Sequence, residues 1–223
     1  MKLPIVAIFP AYNEAQHIGR VIQSCLEYVA KVIVVDDGST DGTGQVARQA
    51  GAEVVQHPKN QGKGAAIQTS FLAFEKEKLP WLVLLDSDGQ HDPSDIPTLY
   101  QCAQDGGFDL VLGNRMSDTT RMPLIRIATN RFMSWLITKM TGQNMPDTQC
   151  GFRLFSRRLI GTLNLTTRHF DLESELLFQA ARAGFSIGSC EIKTIYQDQS
   201  SHINPIVDTI RFFKLVFRYL RHE

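Results

Sequence analysis

Apolar runs and helix-spaced apolar positions alternate along the first half of the chain. Leu3–Phe9 is a short run suited to a strand buried on both faces, and Pro10-Ala11-Tyr12-Asn13-Glu14 is the polar turn out of it. Asn13 with Gln16 reads as a capping box, and Ile18, Val21, Ile22, Cys25 and Leu26 follow at helical spacing, predicting a helix to about Tyr28. Val32–Val35 is a second buried strand that ends in Asp36-Asp37-Gly38-Ser39. Thr40 is placed to cap the next helix, which Gly51 closes. Glu53–Gln56 is a short third strand, and Gly62-Lys63-Gly64 opens a helix to about Glu75. The fourth strand, residues 81–86, is apolar until it stops at two carboxylates one residue apart, Asp86 and Asp88. A helix near 95–104 leads to a fifth strand, 108–112, which ends at Gly113-Asn114-Arg115.

From Pro123 the pattern changes. Residues 124–140 form a long helical pattern, 147–153 a turn into a short strand, 171–182 a helix stopped by Gly184, and 186–195 a strand. Asn204-Pro205 opens a last helix. There Arg211, Lys214, Arg218 and Arg221 recur at helical steps as a basic stripe, while Ile206, Ile210, Phe213, Phe217 and Leu220 mark another face. Such a helix suits the surface of a membrane, and equally suits docking on the core with its cations in water.

Alternating strands and helices with short connections predict an α/β fold, a doubly wound and mainly parallel sheet with helices on both faces. At 223 residues, with no repeat or low-complexity linker, the chain is expected to be one domain over 1–204 followed by the basic amphipathic helix 205–223. Three polar clusters, at 10–14, 36–39 and 86–91, end strands and are expected to converge at the carboxyl edge of the sheet, where open α/β folds bind ligands. Two hard oxygen donors, Asp86 and Asp88, with the amide of Gln90, suit Mg²⁺ or Mn²⁺ holding a phosphate; D-x-D taken alone also suits an acidic turn. Lys63 could reach a phosphate as a point charge, or stay solvated in its turn. No GxGxxG follows the first strand and the Gly-Lys-Gly is not a P-loop, which excludes the common nucleotide motifs.

A net charge of zero hides an uneven layout. Residues 1–114 carry 8 basic and 14 acidic side chains, 115–168 carry 9 and 2, and 169–223 carry 6 and 7. An acidic half facing a basic segment fits a site for several phosphates; nucleic acid is set aside because no zinc-finger or helix-turn-helix signature is present. Cys25, Cys102, Cys150 and Cys190 make no CxxC pair and are expected to be reduced. Met1 passes directly into a strand pattern and no stretch nears the ~18 apolar residues of a spanning helix, so a cytoplasmic protein is expected.

Together PAYNE (10–14), VVDDGSTDGT (34–43), NQGKGAA (60–66), LLDSDGQH (84–91), GNR (113–115), DTQCGFR (147–153), ESE (173–175) and SHINP (201–205) resemble family-2 glycosyltransferases of the dolichol-phosphate mannose synthase type. The resemblance spans nearly the whole chain. It implies a GT-A fold and inverting, metal-dependent transfer of a sugar from a GDP- or UDP-sugar to a polyprenyl phosphate, beside the inner face of a membrane. It implies a donor half over 1–114, with Pro10, Ala11, Tyr12, Glu14, Asp37, Lys63, Asp86, Ser87 and Asp88 on the nucleotide-sugar, and Asp86, Asp88 and Gln90 on the metal. An acceptor half over 115–204 would present Arg115, Arg126 and Arg131 to the acceptor phosphate. Asp88 and Asp147 would be the catalytic pair, Asp147 orienting or deprotonating the acceptor or merely capping a turn. One departure weakens the acceptor assignment: many relatives have an arginine where this chain runs Tyr196-Gln197-Asp198-Gln199-Ser200 before Ser201-His202. A hydroxyl acceptor, with Asp147, Glu173 or Glu175 as base, and a silent nucleotide-sugar-binding protein are the alternatives.

Overall fold

The computed structural model describes residues 1–120, 122–167, 171–193, 195, 212, 215–217 and 219. Seven strands, β1 (Leu3–Ala11), β2 (Val29–Asp36), β3 (Glu53–Gln56), β4 (Trp81–Leu84), β5 (Leu110–Asn114), β6 (Arg153–Ser156) and β7 (Ile187–Glu191), form one sheet in the order β3-β2-β1-β4-β6-β5-β7. All neighbours are parallel except at β6, which runs antiparallel to both β4 and β5. Both faces are covered, as an apolar run without alternation requires. Along β1, Val6 and Ile8 point into one core layer, whereas Ile5, Ala7 and Phe9 point into the other. Helices α1 (Ile18–Cys25) and α4 (Ile96–Gly106) pack on the second layer; α3 (Lys63–Glu75) and α7 (Asp171–Arg182) pack on the first.

The antiparallel β6 departs from the simple alternation read from the sequence, and it decides the site. A parallel strand offers its carboxyl end to the ligand edge; β6 offers its amino end. Arg153 therefore pairs with Leu84 at the end of β4 and with Leu112 in β5, delivering residues 147–153 to the carboxyl edge.

Two helix starts also differ. The capping box at Asn13 is not formed: α1 begins at Ile18, and Asn13 has φ 56° with its side-chain oxygen accepting from Thr40 N at 2.9 Å. Contacts to a distant loop outcompete the local cap, and Asn tolerates the left-handed region. Likewise Thr40 does not cap α2 (Thr43–Gln49); Asp41 accepts from Thr43 N at 2.9 Å instead.

In the last helix, Phe212, Leu215 and Val216 are buried, Tyr219 stacks on Phe178 with centroids 4.7 Å apart, and Phe217 is exposed. The predicted basic stripe Arg211, Lys214, Arg218 and Arg221 lies outside the described residues, as do Ile206, Ile210, Phe213 and Leu220. Among the described residues no helix is long and apolar enough to cross a membrane. All four cysteines are free.

Candidate functional site

The three polar strand ends do converge. The turn after β1 is stitched to the loop after β2: Asn13 N donates to Ser39 Oγ (2.9 Å), Glu14 N to Thr43 Oγ1 (2.8 Å) and Ala15 N to Asp41 Oδ2 (3.0 Å). Ser87 Oγ, after β4, donates to Pro10 O at 3.1 Å. Tyr12 is left exposed beside this seam. Buried Asp37 has a supporting place: it accepts from Gln61 N (2.9 Å) and Gly62 N (2.8 Å) and lies 2.7 Å from His57 Nδ1. It thereby fixes the glycine turn that opens α3 and aims Lys63.

Around Asp86 the charges form a chain. Lys63 Nζ lies 2.8 Å from Asp86 Oδ1 and 3.0 Å from Glu173 Oε1, and Arg153 Nη2 lies 2.8 Å from Glu173 Oε2. His91 Nε2 lies 3.6 Å from Asp86 Oδ2, while the buried His91 Nδ1 has no protein partner among the described residues. Burial opposes ionisation of Asp86, but Lys63 and His91 hold its carboxyl well below the ordinary range. Asp88, which accepts from Gln90 N at 3.0 Å, is pushed up by burial and by the charge of Asp86. Glu14 is pushed up to about 7 by burial, then by Asp88, Asp41 and Asp86. Four carboxylates linked by mutual repulsion, Glu14, Asp41, Asp86 and Asp88, suit a cation. The carboxylate oxygens of Asp86 and Asp88 are hard donors suited to Mg²⁺ or Mn²⁺, which takes its other ligands from water and phosphate; among the described residues no group of three His, Cys, Asp or Glu side chains gathers on one point.

Gly151 leaves room for Asp86: a Cβ there would lie 2.1 Å from Asp86 Oδ2. Neither Gly151 nor the Lys63–Glu173–Arg153 chain could be read as a site from sequence spacing, because the antiparallel β6 and the start of α7 bring them in from far along the chain.

On the acceptor side the expectations need correction. Asp147 is fully buried and Arg115 nearly so; Arg115 Nε and Nη2 donate to Asp147 at 2.8 and 3.0 Å, and Arg115 N at 3.1 Å. Asn130 Nδ2 adds 2.8 Å. Despite burial, Arg115 and Asn130 hold the Asp147 carboxyl below its ordinary range. Such a saturated carboxylate is neither open to an acceptor nor basic, and the edge of Arg115 that would grip a phosphate is committed to it. Glu175 is similarly enclosed, accepting from the backbone and hydroxyls of Thr166 and Thr167. Arg126 and Arg131 stand exposed on α5 (Leu124–Thr141).

The chain is similar to known proteins in sequence and fold. The model of "Glycosyl transferase family 2" covers residues 6–163. A dolichyl-phosphate hexose transferase of Haloferax volcanii is 31% identical over 98% of this chain and 95% of its own length. A UDP-N-acetylglucosamine–dolichyl-phosphate N-acetylglucosaminyltransferase of Methanococcus voltae is 29% identical over 88% of this chain and 87% of its own. Among solved structures, glucosyl-3-phosphoglycerate synthase from Mycobacterium tuberculosis, with Mn²⁺, uridine diphosphate and phosphoglyceric acid, superposes with a TM-score of 0.72 at 25% identity, over 97% of this chain and 76% of that one. The fold is of the GT-A type, and the chain belongs to glycosyl transferase family 2 as a glycosyltransferase.

Proposed function

We propose that the protein moves a sugar from a nucleoside diphosphate to a polyprenyl phosphate, inverting the anomeric carbon, with Mg²⁺ or Mn²⁺ on Asp86 and Asp88. The acidic pair at the end of β4, ringed by the loops after β1 and β2, is the observation that carries the donor half. Tyr12, which is exposed, would cover the base; Asp37 shapes that side through Gln61 and Gly62, and Ser87 ties the D-x-D turn to Pro10. When bound, the ion neutralises charge on the leaving diphosphate as the glycosidic bond breaks. Asp86 and Asp88 hold it, and Gln90 fixes the orientation of Asp88. Lys63, already between Asp86 and Glu173, lies beside the same charge.

For the acceptor, the state of the remaining carboxylates favours phosphate over hydroxyl. A hydroxyl needs a base, yet Asp147 and Glu175 are enclosed and both oxygens of Glu173 face cations. A phosphate monoester, with its second pKa near ~6, is already anionic at neutral pH and needs no base. The acceptor half, 115–204, presents Arg126 and Arg131 to it, and the segment 205–223 adds a cationic contact with the membrane. The dolichyl-phosphate transferases among the relatives support this choice.

Transfer of radiolabelled sugar from GDP- and UDP-donors to a short polyprenyl phosphate tests the reading. Arg131→Ala should raise the acceptor KM by ~10-fold or more, the worth of a charge-assisted hydrogen bond, and leave the donor KM nearly unchanged. Glycosylation of neutral hydroxyl acceptors with no use of polyprenyl phosphate would overturn it. Gly151→Ala should drive its methyl into Asp86, lowering Mn²⁺-dependent nucleoside diphosphate affinity and activity by about 10²-fold while circular dichroism stays unchanged. Wild-type affinity in that variant would refute the placement of the ion on Asp86.

A further inference from the structure

Glu173, in the first turn of α7, sets its two carboxylate oxygens against two different cations: Oε1 lies 3.0 Å from Lys63 Nζ and Oε2 lies 2.8 Å from Arg153 Nη2. Those cations are held very differently. Buried Arg153 is fixed by the backbone around it, with Nε donating to Cys150 O at 2.8 Å, Nη2 to Thr148 O at 2.8 Å and Nη1 to Glu173 O at 3.2 Å. It cannot shift without unbonding the loop ahead of β6. Lys63, at the start of α3, is a point charge on a flexible stem, and a carboxylate on each side orients it, Asp86 Oδ1 at 2.8 Å and Glu173 Oε1.

The needs of Arg153 account for only part of this. A buried guanidinium requires a counter-ion, and one oxygen of Glu173 supplies it. The other oxygen is turned to Lys63, whose side chain is 30% exposed. A pair so open to water contributes little to stability, so stability is a poor reason for it. Order is a better one. Fixing a lysine in one rotamer costs about 2 kcal/mol of side-chain entropy, and a cation already fixed when charge arrives or develops beside it needs no reorganisation. Arg153, Glu173, Lys63 and Asp86 also line one cavity with Ile67, Leu84, Phe155, Leu172 and Leu176. Those apolar walls lower the local polarity and strengthen the attraction from each charge to the next.

We infer that Glu173 is a positioning residue for the donor diphosphate: it holds the Lys63 ammonium at the edge of the D-x-D turn, with Arg153 as its fixed support, and so favours two phosphates over one. The inference rests on the nucleoside diphosphate reading of the site. Glu173 acts through Lys63 and not on the reacting atoms, which gives the carboxylate a task other than that of a base. It also ties β6 and α7 to the donor: the antiparallel strand supplies the anchor, and the helix supplies the arm that aims a lysine of α3.

Calorimetry of the full chain with Mn²⁺ and GDP, UDP, GMP and UMP reads the ratio of diphosphate to monophosphate affinity for whichever base binds. Lys63→Met and Glu173→Gln should each lower that ratio about tenfold, the worth of a charge-assisted hydrogen bond, and leave monophosphate affinity nearly unchanged. In the Lys63→Met/Glu173→Gln double variant the losses should not add, because the second residue works through the first. A Glu173 that merely supports the fold would weaken mono- and diphosphate alike and add its loss to that of Lys63→Met. Where Glu173→Gln leaves Arg153 uncompensated and does not fold, Glu173→Asp takes its place: it keeps the charge but is one methylene too short to span both cations, and the same drop is expected of it. An unchanged ratio in a folded Glu173 variant, or additive losses in the double variant, would overturn this role while the donor site stands. A wild type with no preference for diphosphate over monophosphate would overturn the donor site and this role together.

Discussion

Asp88→Asn is expected to lower kcat/KM by about 10³-fold, roughly 4 kcal/mol of transition-state stabilisation, while leaving the fold intact. The carboxylate lost is one of two that would face the diphosphate, and calorimetry should find that Mn²⁺ no longer tightens nucleoside diphosphate binding. Stability should move the opposite way. In the ion-free protein Asp88 is repelled by Asp86 and in turn pushes Glu14 upward. The Glu14 carboxyl is raised from 4.5 to about 7, so its favourable contribution is full below 4.5 and is lost as pH rises through 7. Removing the Asp88 charge lessens that raise. The thermal midpoint of the ion-free variant should therefore fall less between pH 5 and pH 8, conditions bracketing the raised pKa, than that of wild type. A variant with unchanged metal dependence would show that the ion is held elsewhere.

What the sequence disclosed follows from which signals are local. The ends of β1, β2 and β4 were legible because a run buried on both faces must stop where polar side chains begin, and the α/β layout then fixes where those side chains meet. The antiparallel β6 left no such mark. Residues 153–156 are apolar apart from the ends, and an apolar run reads the same in either direction. Hence Gly151 and the Lys63–Glu173–Arg153 chain were hidden, and the Arg115–Asp147 pair, 32 residues apart in sequence, was read as two separate site residues. In α5, Asn130 and Ser134 turn inward beside the core-packed Met133, Leu136, Ile137 and Met140, because Asp147 needs Asn130. A periodicity argument that assigns polar residues to water misplaces those two.

Asp147→Ala separates a structural carboxylate from a catalytic one. Taking one partner from a buried ion pair leaves the other uncompensated, here the Arg115 guanidinium, and costs about 3–5 kcal/mol. In a chain of this length that lowers the thermal midpoint by roughly 6–20 °C. Asn130 would lose its carboxylate acceptor as well, and α5 one of its ties to the sheet. Replacing both charges, as in Arg115→Met/Asp147→Leu, should recover a large part of the loss, because similar-sized apolar pairs are often neutral to stability. Acid supplies a second check. The Asp147 carboxyl is held below its ordinary value of 3.8, so the stability it contributes is present above that pH and is lost as pH falls through the lowered value. The gap between wild type and Asp147→Ala should accordingly be full at neutral pH and close below 3.8. A general base would behave otherwise: Asp147→Asn would melt like wild type, lose turnover by several orders of magnitude, and erase the acidic limb of the pH–rate profile. That result would return Asp147 to the reacting atoms and require the Arg115 pair to open during turnover.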